Sequence, residues 1–251
     1  MSAKTESNSI KNKAVEAMFK VGAHYGFIKS RRHPTIKPFI FGTKNKVEIF
    51  DLEKTDAQLE AALAFVSKVA STGRQVLFLG GKSEARSIVK KAAESVDQPY
   101  VASRWIGGTF TNFEIIRKRV EKLLDLRSQR EKGELNKYTK RERLLIDKDI
   151  ERLEYLFDGI SSMNHLPGAI FIVDSKKEYI AVNEARDKNI PVIALCGSDC
   201  DINQVQYPVV ANDTAIDSIN YFTAKVAEAY AEGKKLVNAP KEAPRAPEVA
   251  R

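Results

Sequence analysis

Apolar positions along the chain recur with two different periods. Ile10, Ala14 and Met18, four apart, predict an amphipathic helix over residues 9–21. A basic stretch punctuated by Gly and Pro follows through Pro38. The segment FIFGTKNKVEIF then sets two apolar runs around the turn formers Gly42 and Asn45, the pattern of a β-hairpin. A helical period occupies 55–71, with Thr55 and Gln58 at capping-box spacing and Gly73 as its stop. Short continuous apolar runs come next at 75–79 (QVLFL), 169–174 (AIFIVD) and 191–195 (PVIAL), with briefer ones at 100–102 and 209–210. Unbroken runs of this length suit strands buried on both faces. Helical patterns over 83–96, 177–188 and 213–232 separate them. Alternating β and α units predict an α/β fold, a parallel sheet with helices on both faces.

Residues 110–158 break that alternation. One stripe carries Phe113, Ile116, Val120 and Leu123; a second carries Ile146, Ile150, Leu153 and Phe157, after a break near Gly133 and a Thr139–Glu142 capping box. Spacings of three and four on two adjacent helices predict an inserted antiparallel helical hairpin of coiled-coil type. Arms of about twenty residues would reach roughly 30 Å. The tip, 127–143, has seven Lys and Arg, three Glu and little apolar content, and is expected in solvent or against a partner. The expected organisation is an N-terminal helix and basic arm (1–46), a sheet domain in two pieces (47–109 and 159–232), the hairpin (110–158) and a disordered tail (233–251) carrying Pro240, Pro244 and Pro247.

Composition narrows the class. A chain of 251 residues can bury a core without disulfides, and 43% hydrophobic with 29% charged residues is ordinary for a globular protein. No apolar run approaches the ~20 residues of a membrane span, and the polar start lacks a secretory stretch. Two cysteines, Cys196 and Cys200, are too few for a disulfide scaffold, so a reducing, cytoplasmic compartment is expected.

Charge changes the picture most. Residues 1–46 hold ten Lys and Arg against two Glu, a net +8 that equals the charge of the whole chain. Between Ala17 and Val47 there is no acid. Lys20, Lys29, Arg31, Arg32, Lys37, Lys44 and Lys46 stand there among Phe19, Tyr25, Phe27, Phe39, Phe41, His24 and His33. Cations meet phosphates and flat rings stack on unpaired bases, so the pattern suits RNA. The alternative is a solvated basic surface whose rings anchor it to the core. Pro34 and Pro38 disfavour helix, which predicts an extended arm whose charges find no internal counterpart.

Catalytic chemistry finds little support. Gly80-Gly81-Lys82-Ser83 resembles the end of a phosphate-binding loop, but that motif needs its first Gly where Val76 stands, inside a strand. Amides at a helix start beside Lys82 could still hold one nucleic-acid phosphate, or the segment could be a plain strand-to-helix turn. Cys196 and Cys200 lack a second ligand pair, and His24, His33 and His165 are remote in sequence, so no metal site is expected. Asp174, Asp199, Asp201, Asp213 and Asp217 fall at strand ends and helix starts, where capping accounts for Asp213. No catalytic constellation, cofactor or small-molecule substrate is expected.

Several stretches, in order and at the right spacing over residues 9–232, resemble the bacterial small-subunit ribosomal protein S two family. They are Gly22-Ala23-His24-Tyr25-Gly26, Arg32-His33-Pro34 with Lys37-Pro38, Ile40-Phe41-Gly42, and Ile49-Phe50-Asp51-Leu52-Glu53-Lys54-Thr55. Arg104-Trp105-Ile106-Gly107-Gly108, Leu166-Pro167-Gly168-Ala169, Ile190-Pro191-Val192 and Asn212-Asp213-Thr214-Ala215-Ile216 continue the match. Phe27, Ile202 and the Gly80–Ser83 loop depart from the family's usual residues. The resemblance implies a flavodoxin-like α/β domain with an inserted helical hairpin, and a non-enzymatic component of the small ribosomal subunit. It implies ribosomal RNA and neighbouring ribosomal proteins as partners, among them the large mRNA-binding ribosomal protein S one. The candidate RNA contacts are Lys29, Arg31, Arg32, His33, Lys37, Lys44, Lys46, Lys82, Arg104 and Trp105. The competing readings are a flavodoxin-like enzyme acting on a phosphorylated small molecule and an RNA-binding regulator outside the ribosome.

Overall fold

The computed structural model describes residues 13–238, so the first residues of the predicted N-terminal helix and the tail beyond 238 lie outside the described residues. Helix α1 (residues 13–20) leads into a small antiparallel sheet of β1 (Tyr25–Ile28), β2 (Ile40–Lys44) and β3 (Val47–Phe50), in the order β1-β3-β2. The predicted hairpin is β2–β3. Asn45 (φ 52°) and Lys46 (φ 67°) both take the left-handed conformation of a tight two-residue turn. Strand β1 has no counterpart in the apolar pattern of the sequence. It is four residues long and contains Gly26, where an added Cβ would come 3.1 Å from the Phe50 ring. The boundary expected after residue 46 therefore cuts through this sheet, because β3 holds β1 and β2 together.

Helix α2 (Leu52–Ser71) starts earlier than the spacing suggested, because Asp51 caps it, its Oδ1 accepting from the Glu53 amide at 3.2 Å. Thr55 and Gln58 serve another purpose. Thr55 Oγ1 donates to the Val210 carbonyl (2.7 Å) and Gln58 Oε1 accepts from the Val210 amide (3.0 Å), which ties α2 to the far sheet edge.

The main sheet comprises β4 (Val76–Leu79), β5 (Tyr100–Val101), β6 (Ala169–Val173), β7 (Val192–Cys196) and β8 (Tyr207–Val210). All are parallel, in the order β5-β4-β6-β7-β8. The first strand lies one in from the edge and the order reverses between β4 and β6, the flavodoxin-like arrangement. Strands β4, β6 and β7 are buried at every residue, as their unbroken apolar runs require. Val76, Phe78 and Phe171 pack with α2, α3 (Ser83–Ser95) and α7 (Ile216–Asn238). Leu77, Leu79 and Ile172 join the opposite layer with α4 (Phe113–Glu131), α5 (Lys140–Phe157) and α6 (Tyr179–Asp187).

Helices α4 and α5 lie against each other, joined through Gly133 (φ 72°) and a short turn at Glu134–Lys137. The Thr139–Glu142 capping box is formed. Ile116, Val120 and Leu123 of α4 and Ile150, Leu153 and Phe157 of α5 belong to the core beneath the sheet. Arg127 binds Glu154 and Asp158, each at 2.8 Å, across the two helices. Helix α7 passes the expected tail boundary at 233 and runs to Asn238. A Cβ at Gly233 would come 2.4 Å from the Ser67 carbonyl, so α7 and α2 approach there too closely for a larger residue. Among the described residues, no helix is long and apolar enough to cross a membrane.

Candidate nucleic-acid interface

The carboxyl edge of the parallel sheet is where this fold places ligands, at the point where strand order reverses. Lys82 stands there, in the turn between β4 and α3. Its Nζ donates to Asp174 Oδ2 (2.8 Å), Asp213 Oδ2 (2.7 Å) and the Asp213 carbonyl (3.2 Å). Burial works against the ammonium, yet Asp213 and Asp174 outweigh it and hold its pKa above the ordinary value. Burial pushes the Asp213 carboxyl up to about 6, against the pull of Lys82. Only 13% of the Lys82 side chain is exposed. The expected phosphate contact is corrected accordingly: this cation is already neutralised from within. Asp213 is also not a helix cap. Asn212 orders the turn before α7, its Oδ1 accepting from the amides of Thr214 (3.0 Å) and Ala215 (3.2 Å).

Cys200 donates toward Asp174 Oδ1 at 3.6 Å, and Asp174, Cys200 and Asp213 bring ligand atoms within 4.8 Å of one another. Sequence spacing did not reveal this cluster, because strand order alone assembles it. Its donor set could hold a cation, but the Lys82 ammonium already touches both carboxylates. The Cys196 thiol is pushed well above its ordinary value by Cys200 and by burial.

Trp105 does not reach solvent. It is 4% exposed, and its Nε1 donates to Glu184 Oε1 at 3.1 Å. Glu184 also accepts from the amides of Gly108 (2.8 Å), Phe110 (2.9 Å) and Thr111 (3.1 Å). Burial alone would raise this carboxyl, but the donors outweigh it and hold it below the ordinary value. One buried carboxylate thus shapes the whole 105–111 loop and leaves Arg104 exposed beside it. Trp105 is a core residue of this loop, not a platform for bases.

The basic N-terminal segment is docked, not splayed. The Phe27 amide donates to Ser198 Oγ (2.9 Å) and the His33 amide to the Ser198 carbonyl (2.8 Å). Pro34–Phe39 forms a short 3₁₀ turn that buries Ile36 with Phe50 and Val210. Pro34 opens that turn, where a missing amide hydrogen costs nothing. His33 caps it, with Nδ1 2.8 Å from Thr35 Oγ1 and 3.9 Å from Asp201 Oδ1. Arg32 Nη1 binds Glu48 Oε1 at 2.8 Å, and Glu48 is 0% exposed. The expectation that no internal acid neutralises the arm therefore fails at Arg32. The rings also partly stack on themselves, His24 lying between Phe19 (4.3 Å) and Tyr25 (4.0 Å), and burial lowers the His24 pKa. Lys29, Arg31, Lys37, Lys44 and Lys46 remain exposed. Arg31 lies over the Phe27 ring at 4.7 Å, and Phe41, 81% exposed, stands on β2 near Lys44.

Comparison with known proteins adds a family. The model of the family described as "Ribosomal protein S2" matches residues 18–233. The chain is 43% identical over 221 residues to "Small ribosomal subunit protein uS2" of Roseiflexus castenholzii, an alignment covering 88% of this chain and 84% of that protein. It is 40% identical over 222 residues to the protein of the same name from Chlorobaculum tepidum, covering 88% and 89% of the two chains.

Proposed function

The chain belongs to the ribosomal protein S2 family, and from that premise we propose that the exposed cations Lys29, Arg31, Lys37, Lys44 and Lys46, together with Arg104, contact ribosomal RNA. The protein is a structural component of the small ribosomal subunit and not an enzyme, with ribosomal RNA and other ribosomal proteins as partners. One observation carries the choice of residues. Among the described residues none of these six cations has a carboxylate within ion-pair distance, whereas Arg32 and Lys82 do. An exposed, unpaired cation gains from a phosphate what a paired one has already gained from its carboxylate.

Two finer readings go further, the first resting on the family resemblance and the second on the spacing and charge of residues 110–158. The large mRNA-binding ribosomal protein S one is a neighbouring partner, and the protruding rings of Phe19, Tyr25 and Phe41 suit a protein contact. The charged tip at 127–143 is a projection separable from the α/β core, facing RNA or acidic neighbours. Sedimentation of the full chain with ribosomal subunits tests the main reading. The chain is expected to migrate quantitatively with the small subunit. Slow, RNA-independent sedimentation in the same lysate contradicts it.

A further inference from the structure

Beside the self-neutralised Lys82, the same sheet edge has an open recess. It has a volume of about 260 Å³ and is lined by Gly81, Arg86, Arg104, Trp105, Lys177 and Glu178, with Ile180 at its margin. Three separate connections supply it: the turn after β4 with the start of α3, the loop after β5, and the loop after β6. These flank the reversal point between β4 and β6, where the fold opens a crevice. Arg86, Arg104 and Lys177 are exposed, and among the described residues none has a carboxylate within ion-pair distance.

The floor of the recess is built closely. A Cβ at Gly81 would meet Glu178 Oε1 at 2.3 Å and the Ser103 carbonyl at 3.1 Å. Glu178 is turned inward onto the Gly81 amide and is 7% exposed, so it holds the floor and offers the opening little charge. Burial pushes its carboxyl up, with Lys177 pulling the other way. Glu184 fixes the opposite wall by holding Trp105, which sets the direction in which Arg104 leaves the loop. Three cations against one inward carboxylate leave the recess positive.

We propose that this recess seats a single phosphodiester of the ribosomal RNA backbone, gripped together by Arg86, Arg104 and Lys177. The inference rests on the RNA-binding reading above and adds a site to it. Guanidinium groups bind phosphate with directed, paired hydrogen bonds, and the lysine adds a point charge. The buried Lys82 cluster and the recess then divide the crevice. One half is closed by an internal ion pair, and the other is left for an outside anion.

Convergence on one phosphate has a measurable signature. Each neutralised phosphate contributes about 0.7–0.9 to the slope of log affinity against log salt. The full chain and the variant Arg86→Gln/Arg104→Gln/Lys177→Gln are titrated against small-subunit ribosomal RNA across salt, with melting curves confirming that both are folded. The triple variant is expected to flatten the slope by about one unit, since three side chains share one phosphate. An unchanged slope overturns the proposal. A change of two to three units overturns it as well, because it means three independent contacts.

A second arm titrates inorganic phosphate into the full chain by calorimetry. Binding at millimolar or tighter affinity that the triple variant loses, without any change in RNA slope, assigns the recess to free phosphate and rejects RNA as its occupant. The fate of the broader reading is separable. If Lys29→Gln/Arg31→Gln/Lys37→Gln changes the slope while the recess variant does not, only the recess proposal falls. If the unaltered chain shows no salt-dependent RNA binding, both fall.

Discussion

The carboxyl edge of the parallel sheet and the N-terminal antiparallel sheet both carry lysines on turns, yet they treat that charge in opposite ways. At the sheet edge Lys82 is enclosed by Asp174 and Asp213, acids delivered by strands far away in sequence. On the small sheet Lys44 and Lys46 stand in solvent at a two-residue turn with no such neighbour. Counting charges along the chain treats these lysines alike; the fold gives one a structural duty and leaves the others for a partner. Arg32 shows that the division runs through the basic segment itself, since it alone of that cluster reaches the buried Glu48. What decides a cation's role here is whether the topology brings it an acid.

The largest effect should come from removing the enclosed lysine. Lys82→Met leaves two buried carboxylates facing each other without a counter-charge, and breaking a buried pair in this way costs about 3–5 kcal/mol. The loss should depend on pH. In the native protein the folded-state pKa of Asp213, about 6, lies above its unfolded value, so the folded state holds more protons and Asp213's contribution to stability falls as pH rises from about 4 to 6. Without Lys82 that pKa moves further up. The stability gap between variant and unaltered protein should therefore be wider at pH 8 than at pH 5. Urea unfolding at the two values checks this, and an equal gap at both contradicts the pairing.

A smaller loss is expected at Arg32, whose side chain is 22% exposed. Arg32→Ala strands Glu48, of which Oε2 already has no hydrogen-bond partner, and should cost about 2 kcal/mol. Adding Glu48→Gln should restore part of it, because the buried group then carries no charge. If the double variant is no more stable than the single one, the ion pair is not what holds β1–β3 to the turn before Pro34.

Elements that carry a local pattern are legible in the sequence. Runs 75–79, 169–174 and 191–195 announced strands buried on both faces, and β4, β6 and β7 are buried at every position. Thr139 and Glu142 announced a helix start three residues apart, and the box is formed. Strand β1 was hidden because its pairing comes from β3, and its own four residues include a glycine. The arm looked free of acids because Glu48 begins just past the acid-free stretch, on the strand that folds back over it. Lys82 and Asp213 are 131 positions apart, and no spacing rule joins them; only the order of the parallel strands does. Trp105, a candidate RNA contact in the sequence, is held inward by Glu184, which stands on a helix after the insertion.

The most direct test sets exposed cations against enclosed ones in a single assay. Lys29→Gln/Arg31→Gln/Lys37→Gln and Arg32→Ala are each measured for melting temperature and for the salt dependence of affinity for small-subunit ribosomal RNA. The exposed triple should flatten the log–log slope by about two to three units with its melting temperature unchanged. Arg32→Ala should lower the melting temperature by several degrees and move the slope by less than about one unit. Equal slope changes per cation removed, whether or not an internal acid faces it, would contradict the claim that the fold, not the charge count, selects the residues that meet RNA.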